Sequence, residues 1–256
     1  MAKDYDQIIK KGRPGNPMKY LTLDTTTKVT AVSLAEDGCL VAEGFLHTVK
    51  THSEQLIPLL DQLLKASSWT LRDLELIGVV RGPGSFTGIR IGIASAQGLA
   101  QVLELPLLAV LSLETLAWAG VNREEDIVPI LDARRNEWYT ARYRWLEGKI
   151  QCLSPPQALR PDSWLEQLKG LERQVCFVGD AVLTARARIE EVLGEQAVIL
   201  PEYLGLPRGA YAARAIWQRW LEQGAGEVVE PYYIRPSEAE VNWEKKQEAL
   251  RRAGHE

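Results

Sequence analysis

The sequence predicts an α/β protein made of two halves of one design, each a mixed sheet covered by helices. Three observations point there. Each half opens with strand-like segments joined by tight turns, and strands then alternate with helices, giving the order β-β-β-α-β-α-β twice over. The first strand of each half ends on an aspartate, Asp24 in one and Asp132 in the other. A meander followed by strand–helix alternation produces antiparallel pairs beside parallel ones, with helices on the faces. No sequence identity links the halves.

In the first half, KYLTLD (19–24) alternates Leu21 and Leu23 with polar neighbours and reads as a strand. TTTKVTAVSL supplies the second strand, Asp37-Gly38 the hairpin turn, and CLVAEGFL the third. Leu56, Leu59, Leu60, Leu63 and Leu64 mark one face of a helix in HSEQLIPLLDQLLKASSW, with Ser53 as its N-cap and Pro58 near its first turn. LELIGVV is a buried strand. RGPGSFTGIRIGIASAQGLA (81–100) is a loop that launches a helix from Ser85, and LPLLAVL is the next strand. In the second half, DIVPILD is a strand, and RNEWYTARYRW with KIQCLSP forms a hairpin about Glu147-Gly148. PDSWLEQLKGL, TARARIEEVLG and RGAYAARAIWQRWLEQ are helices, and VCFVGD and AVILP are strands. The halves divide at about 18–117 and 118–256, and the last helix is free to pack back on the first half.

With 256 residues, 46% of them hydrophobic and 25% charged, the chain is long enough to bury a full core. A net charge of −4 disfavours autonomous nucleic-acid binding, because phosphate neutralisation supplies most of that affinity. Cys39, Cys152 and Cys176 are far apart with no CxxC, so they read as buried reduced thiols and not as a zinc site or a disulfide framework. No apolar run approaches the ~20 residues of a membrane span. Residues 1–17 lack the apolar core of a signal peptide and read as a flexible extension. A cytoplasmic protein with no membrane association is expected.

The glycine-rich turn at 81–88 is a natural place to seek chemistry, since such turns point free N–H groups at anions. The specific motifs fail. Gly88 is followed by Ile89 and Arg90, so there is no Walker lysine; Gly82, Gly84 and Gly88 are spaced one residue too wide for a dinucleotide fingerprint; Ser85 lacks the flanking glycines of a nucleophile elbow. His47 and His52 are rotated by about 140° on an ideal helix, and no H-E-x-x-H exists, so neither a metallopeptidase nor a serine-enzyme base has support. No metal site and no catalytic residue is assigned. The helix carries a different signal. Gly88, Gly92, Ala96 and Ala100 form one ridge of small residues, beside Ile89 and Ile93, with a polar strip of Arg90, Gln97 and Gln101. Each interior glycine costs roughly 1 kcal/mol against alanine, a penalty that close approach of another backbone repays. That backbone belongs either to the protein's own sheet or to a second molecule. In the charged tail, Lys245, Lys246, Arg251 and Arg252 give weak grounds for an RNA contact, and His255 lies in the same frayed end.

The duplicated pattern resembles the actin-like ATPase superfamily, which includes Hsp70 chaperones and sugar kinases and is built from two ribonuclease-H-like halves. The resemblance implies a ligand cleft between the halves. LDTTT (23–27) is similar to the first phosphate loop, so Asp24, Thr25 and Thr26 become candidates for holding a metal–nucleotide complex, with Asp132 and Gly179 opposite. The loop lacks its usual glycine, and Arg134 and Arg135 crowd the second turn. A structural turn is the leading expectation for this degenerate site, with weak nucleotide binding behind it, and no cofactor is assigned. An ATP-dependent phosphotransferase is the alternative function.

MKYLTLDTTT (18–27), THSEQLIPLL (51–60), GVVRGPGSFTGIRIGIASAQGLA (78–100), LDARRNEWY (131–139) and PYYIRP (231–236) together resemble the bacterial TsaB family, also called YeaZ. The resemblance implies a non-catalytic subunit that joins the TsaD transferase, a paralogue, and the TsaE ATPase in placing a threonylcarbamoyl group on the adenosine beside the tRNA anticodon, with tRNA reached only through the complex. It implies pairing with TsaD, or with a second copy, through the helices at about 52–66 and 85–103. The expected interface is then His52, Leu56, Leu59, Leu60 and Leu63 on one helix and Gly88, Ile89, Gly92, Ile93, Ala96 and Ala100 on the other. On that expectation Gly92→Leu leaves the monomer folded and weakens pairing.

Overall fold

The structure, a computed structural model, describes residues 17–235 and Trp243. The extension before residue 17 and the tail bearing Lys245, Lys246, Arg251, Arg252 and His255 lie outside the described residues, as does Pro236.

The first half is a five-stranded sheet of β1 (Lys19–Asp24), β2 (Thr30–Glu36), β3 (Cys39–Leu46), β4 (Leu76–Val80) and β5 (Leu107–Val110), in the order β3-β2-β1-β4-β5. The meander β1–β2–β3 is antiparallel, and β1, β4 and β5 are parallel. The second half repeats this plan. β6 (Asp126–Asp132), β7 (Trp138–Leu146), β8 (Lys149–Leu159), β9 (Val175–Val178) and β10 (Ala197–Ile199) lie in the order β10-β9-β6-β7-β8. Here too the meander is antiparallel and the rest parallel. Read from opposite edges, the two orders are the same, which is the duplicated actin-like architecture. The hairpins turn at Asp37-Gly38 and Glu147-Gly148, where both residues of each pair have positive φ, as a two-residue turn between twisted strands requires.

One face of the first sheet is covered by α1 (His52–Ser67) and α2 (Phe86–Leu103), whose apolar sides close over Leu21, Leu23, Val32, Ile77 and Val79. After β5 comes α3 (Ser112–Ala117), too short for its periodicity to be seen in sequence. α4 (Pro161–Lys169) and α5 (Val182–Leu193) cover the outer face of the second sheet. α6 (Gly209–Gln223) belongs to the second half in sequence but lies on the other face of the first sheet. The Tyr20 hydroxyl donates to the carbonyl of Ala213 (3.0 Å), Ser33 donates to that of Gly209 (2.9 Å), and Tyr20 stacks on Trp217 with ring centroids 5.9 Å apart. One core therefore runs through both halves, from Tyr20 and Leu76 to Ile127 and Tyr143.

Three local expectations are corrected. The N-cap of α1 is Thr51, not Ser53: the Glu54 carboxylate accepts the Thr51 N–H (2.9 Å) and hydroxyl (2.7 Å), an exchange that fits the spacing of these two residues. Pro58 lies beyond the first turn, on the exposed side of the helix. Of the three cysteines only Cys176 is buried; Cys39 opens the edge strand β3 and Cys152 sits on the edge strand β8, and both are exposed. Among the described residues no helix is long and apolar enough to cross a membrane.

Candidate functional site

The LDTTT turn leaves β1 and runs directly beneath the start of α2. Asp24 is 2% exposed, and its Oδ1 accepts both the Thr26 N–H (2.9 Å) and the Thr26 hydroxyl (2.7 Å). Burial raises the Asp24 carboxyl above the usual carboxylate range, against the opposing pull of those two bonds and of His52. The Thr25 hydroxyl donates to the carbonyl of Gly88 (2.7 Å), and the Thr26 carbonyl accepts the Ser85 N–H (2.7 Å). Ser85 in turn caps α2, its hydroxyl accepting the Gly88 N–H at 3.2 Å. His52 pins the same turn from α1, with Nδ1 against the Thr30 hydroxyl (2.7 Å) and Nε2 against the Thr27 carbonyl (2.9 Å). The groups that the superfamily resemblance aims at phosphate are thus bonded to the chain itself.

This packing decides which way the small-residue ridge faces. A Cβ on Gly88 would stand 2.0 Å from the Thr25 carbonyl oxygen, and one on Gly92 2.4 Å from the Thr25 hydroxyl. Ile89, Ile93, Ala96 and Ala100 are buried in the same cluster as Leu56, Leu59, Leu60 and Leu63. The assignment of these residues to an intermolecular interface is therefore corrected. Their small size lets α2 lie close on the turn and on β4, and the leucines of α1 fill the core beside it. Gly92→Leu cannot leave the monomer undisturbed.

The opposite side of the helix pair is bare. Arg90, Ala94, Gly98 and Val102 form a second row spaced by four, exposed along its whole length. Gly98 has open space where a side chain would stand, and Val102 is 81% exposed. On α1, Ile57 is 52% exposed, with Pro58 and Asp61 beside it on the solvent side. Sequence reasoning missed this row although its signal was present: Ala94, Gly98 and Val102 repeat the spacing of the inner ridge.

In the second half, Asp132 is exposed at the end of β6. Its Oδ1 accepts the Arg134 N–H (2.8 Å), and its own N–H donates to Asp180 Oδ1 (3.1 Å). Burial raises the Asp180 carboxyl; the Asp132 N–H that it accepts opposes the rise, the Asp132 charge adds to it, and Lys28 from the first half opposes it. Gly179 packs against β6, where a Cβ would stand 2.1 Å from the Ile130 carbonyl oxygen. Asp132 and Gly179 thus meet at one corner, with Asp180 between them as the residue not foreseen.

Residues 46–243 match the family model described as TsaD: tRNA N6-adenosine threonylcarbamoyltransferase. The chain is 35% identical over 226 residues to the tRNA threonylcarbamoyladenosine biosynthesis protein TsaB of Bacillus subtilis (strain 168), covering 88% of this chain and 98% of that one. It is 35% identical over 234 residues to the protein of the same name from Escherichia coli (strain K12), covering 89% and 98%. Among solved structures it is similar to YeaZ from Pseudomonas aeruginosa, with a TM-score of 0.70 and 26% identity over 84% of this chain and 99% of that one.

Proposed function

The chain belongs to the TsaB (YeaZ) family, and from that premise we propose that it is a non-catalytic docking subunit of the assembly that places a threonylcarbamoyl group on the N6 of the adenosine beside the tRNA anticodon. Its partners are a TsaD-type transferase and a TsaE-type ATPase, and tRNA is reached through them. The observation that carries this reading is the bare outer side of α1 and α2. A row of Ala94 and Gly98 lets the backbone of a partner helix approach at the close end of the usual ~8–10 Å range. Val102 and Ile57, exposed beside it, lose their contact with water when that helix arrives. The same face serves a second copy of the chain when no TsaD-type partner is present. A non-catalytic role is supported by the LDTTT turn, whose aspartate and threonines spend their hydrogen bonds inside the fold.

Gly98→Leu tests the surface. The new side chain meets nothing in the monomer, so the thermal melt is expected to stay unchanged or rise slightly, as leucine outranks glycine in a helix by just under ~1 kcal/mol. Titration calorimetry against the TsaD paralogue from the same source is expected to show at least a tenfold loss of affinity, the equivalent of about 1.4 kcal/mol. An affinity equal to wild type would remove the outer row from the interface.

A further inference from the structure

Residues 226–235 leave the end of α6 and cross from one half of the molecule to the other. The Glu227 N–H donates to the carbonyl of Leu107 (2.8 Å), and the Ala109 N–H donates to Glu227 Oε1 (3.0 Å), so the segment begins along the outer edge of β5. Val229 is buried in the first core, and Gln97 Nε2 donates to its carbonyl at 3.0 Å. The Tyr232 N–H donates to the carbonyl of Arg81 (2.8 Å). Tyr233 stacks on Phe86 with ring centroids 4.2 Å apart, and its hydroxyl accepts from Arg90 Nε at 3.0 Å. Arg90 and Gln97, two members of the polar strip on α2, are therefore engaged by the chain's own strap.

The far end of the strap touches the other half. Ile234 packs against the shared core, and Arg235 forms an ion pair with Glu137. Glu137 closes the turn between β6 and β7: its carbonyl accepts the Ala133 N–H (2.9 Å), and its N–H donates to the carbonyl of Arg134 (3.1 Å). Within that turn Arg134, Arg135 and Asn136 have φ of 60°, 53° and 57°. Three successive non-glycine residues in the left-handed region form a backbone that L-residues avoid unless their surroundings hold it. The turn follows Asp132 directly.

We propose that residues 226–235 are a latch between the two halves, seated on β5 and α2 and holding the left-handed 133–137 turn through Arg235 and Glu137. The anchorage is unequal. On the first half it comprises five hydrogen bonds, a ring stack and a buried valine, whereas the second half is held through Ile234 and the Arg235–Glu137 ion pair. Release therefore starts at Arg235, frees the turn beside Asp132, and leaves both cores intact.

Amide hydrogen exchange on the full chain tests this. Arg235→Glu is expected to speed exchange at Ala133 and Glu137 by about tenfold, with Leu21 and Leu23 of β1 unchanged. Adding Glu137→Arg to that variant is expected to restore the protection. Tyr233→Ala, at the residue stacked on Phe86 of the first half, is expected to speed the same turn amides, because it loosens the seat of the latch. Turn amides that do not respond to Arg235→Glu, or that ignore Tyr233→Ala, would overturn the proposal. So would equal acceleration in β1, which would make the strap one part of a common core.

Discussion

Gly92 and Gly98 lie on one helix and differ only in the face they occupy. Leucine at 92 must displace the Thr25 hydroxyl, 2.4 Å from where its Cβ would be, and with it the bond from Thr25 to Gly88. Overpacking of this kind costs about 1–3 kcal/mol, so chemical denaturation is expected to show Gly92→Leu destabilised while Gly98→Leu is not. Asp24 gives a second prediction at this scale. Its carboxyl is raised in the folded state by burial, so the folded protein holds that proton more tightly than the unfolded chain does. The stabilising contribution is complete below the unfolded value of about 4 and is lost as pH climbs through the raised folded value. Asp24→Asn keeps an oxygen to accept the Thr26 N–H and removes the charge. Its stability, followed by urea titration, is expected to fall less than that of wild type as pH rises from about 4.

Helices α1 and α2 each carry a residue that breaks a local rule. Pro58 cannot donate to the carbonyl of Glu54, a helix-interior loss that would cost about 3 kcal/mol if water could not replace it. Because Pro58 faces solvent, that carbonyl remains hydrated, and proline also restrains the unfolded chain. Pro58→Ala is therefore expected to stabilise the protein by only about 1 kcal/mol in a thermal melt; a destabilised variant would mean that proline sets the path of α1. In α2 the rule broken is helix propensity, since Gly88, Gly92 and Gly98 all lie within it. Two of them let the helix lie against the LDTTT turn and β4, and the third lies on the open side. Sequence periodicity singled out only the inner row, although the outer row repeats its spacing, and had no means of telling which side faces inward.

At the scale of the molecule, α6 packs into a core shared by the two halves. Ile216 and Trp217 are buried in a core that includes Tyr20 and Leu76 of the first sheet and Ile127 and Tyr143 of the second. Ile216→Ala is expected to cost about 2–5 kcal/mol. A single calorimetric transition at lower temperature is the expected form, and two separated transitions would show halves that unfold on their own. This arrangement also explains why the division at residue 117 describes the chain better than it describes the packing: the last helix of the second half closes the first sheet.

The sequence by itself determined the elements and their duplication, because strand alternation, helical spacing and turn chemistry are local properties of the residues that carry them. It also determined the family, through segments such as RGPGSFTGIRIG that lie within matched stretches of relatives. Only the tertiary structure decided which side of α2 faces inward, because that depends on Thr25 lying beneath Gly88, a meeting of residues 63 positions apart. It likewise decided that Asp24 is sealed against Thr26 beneath α2, and that residues 226–235 cross to Glu137. Contacts between distant segments select among faces that the local pattern leaves equivalent, and the side of α2 left exposed is one such selection.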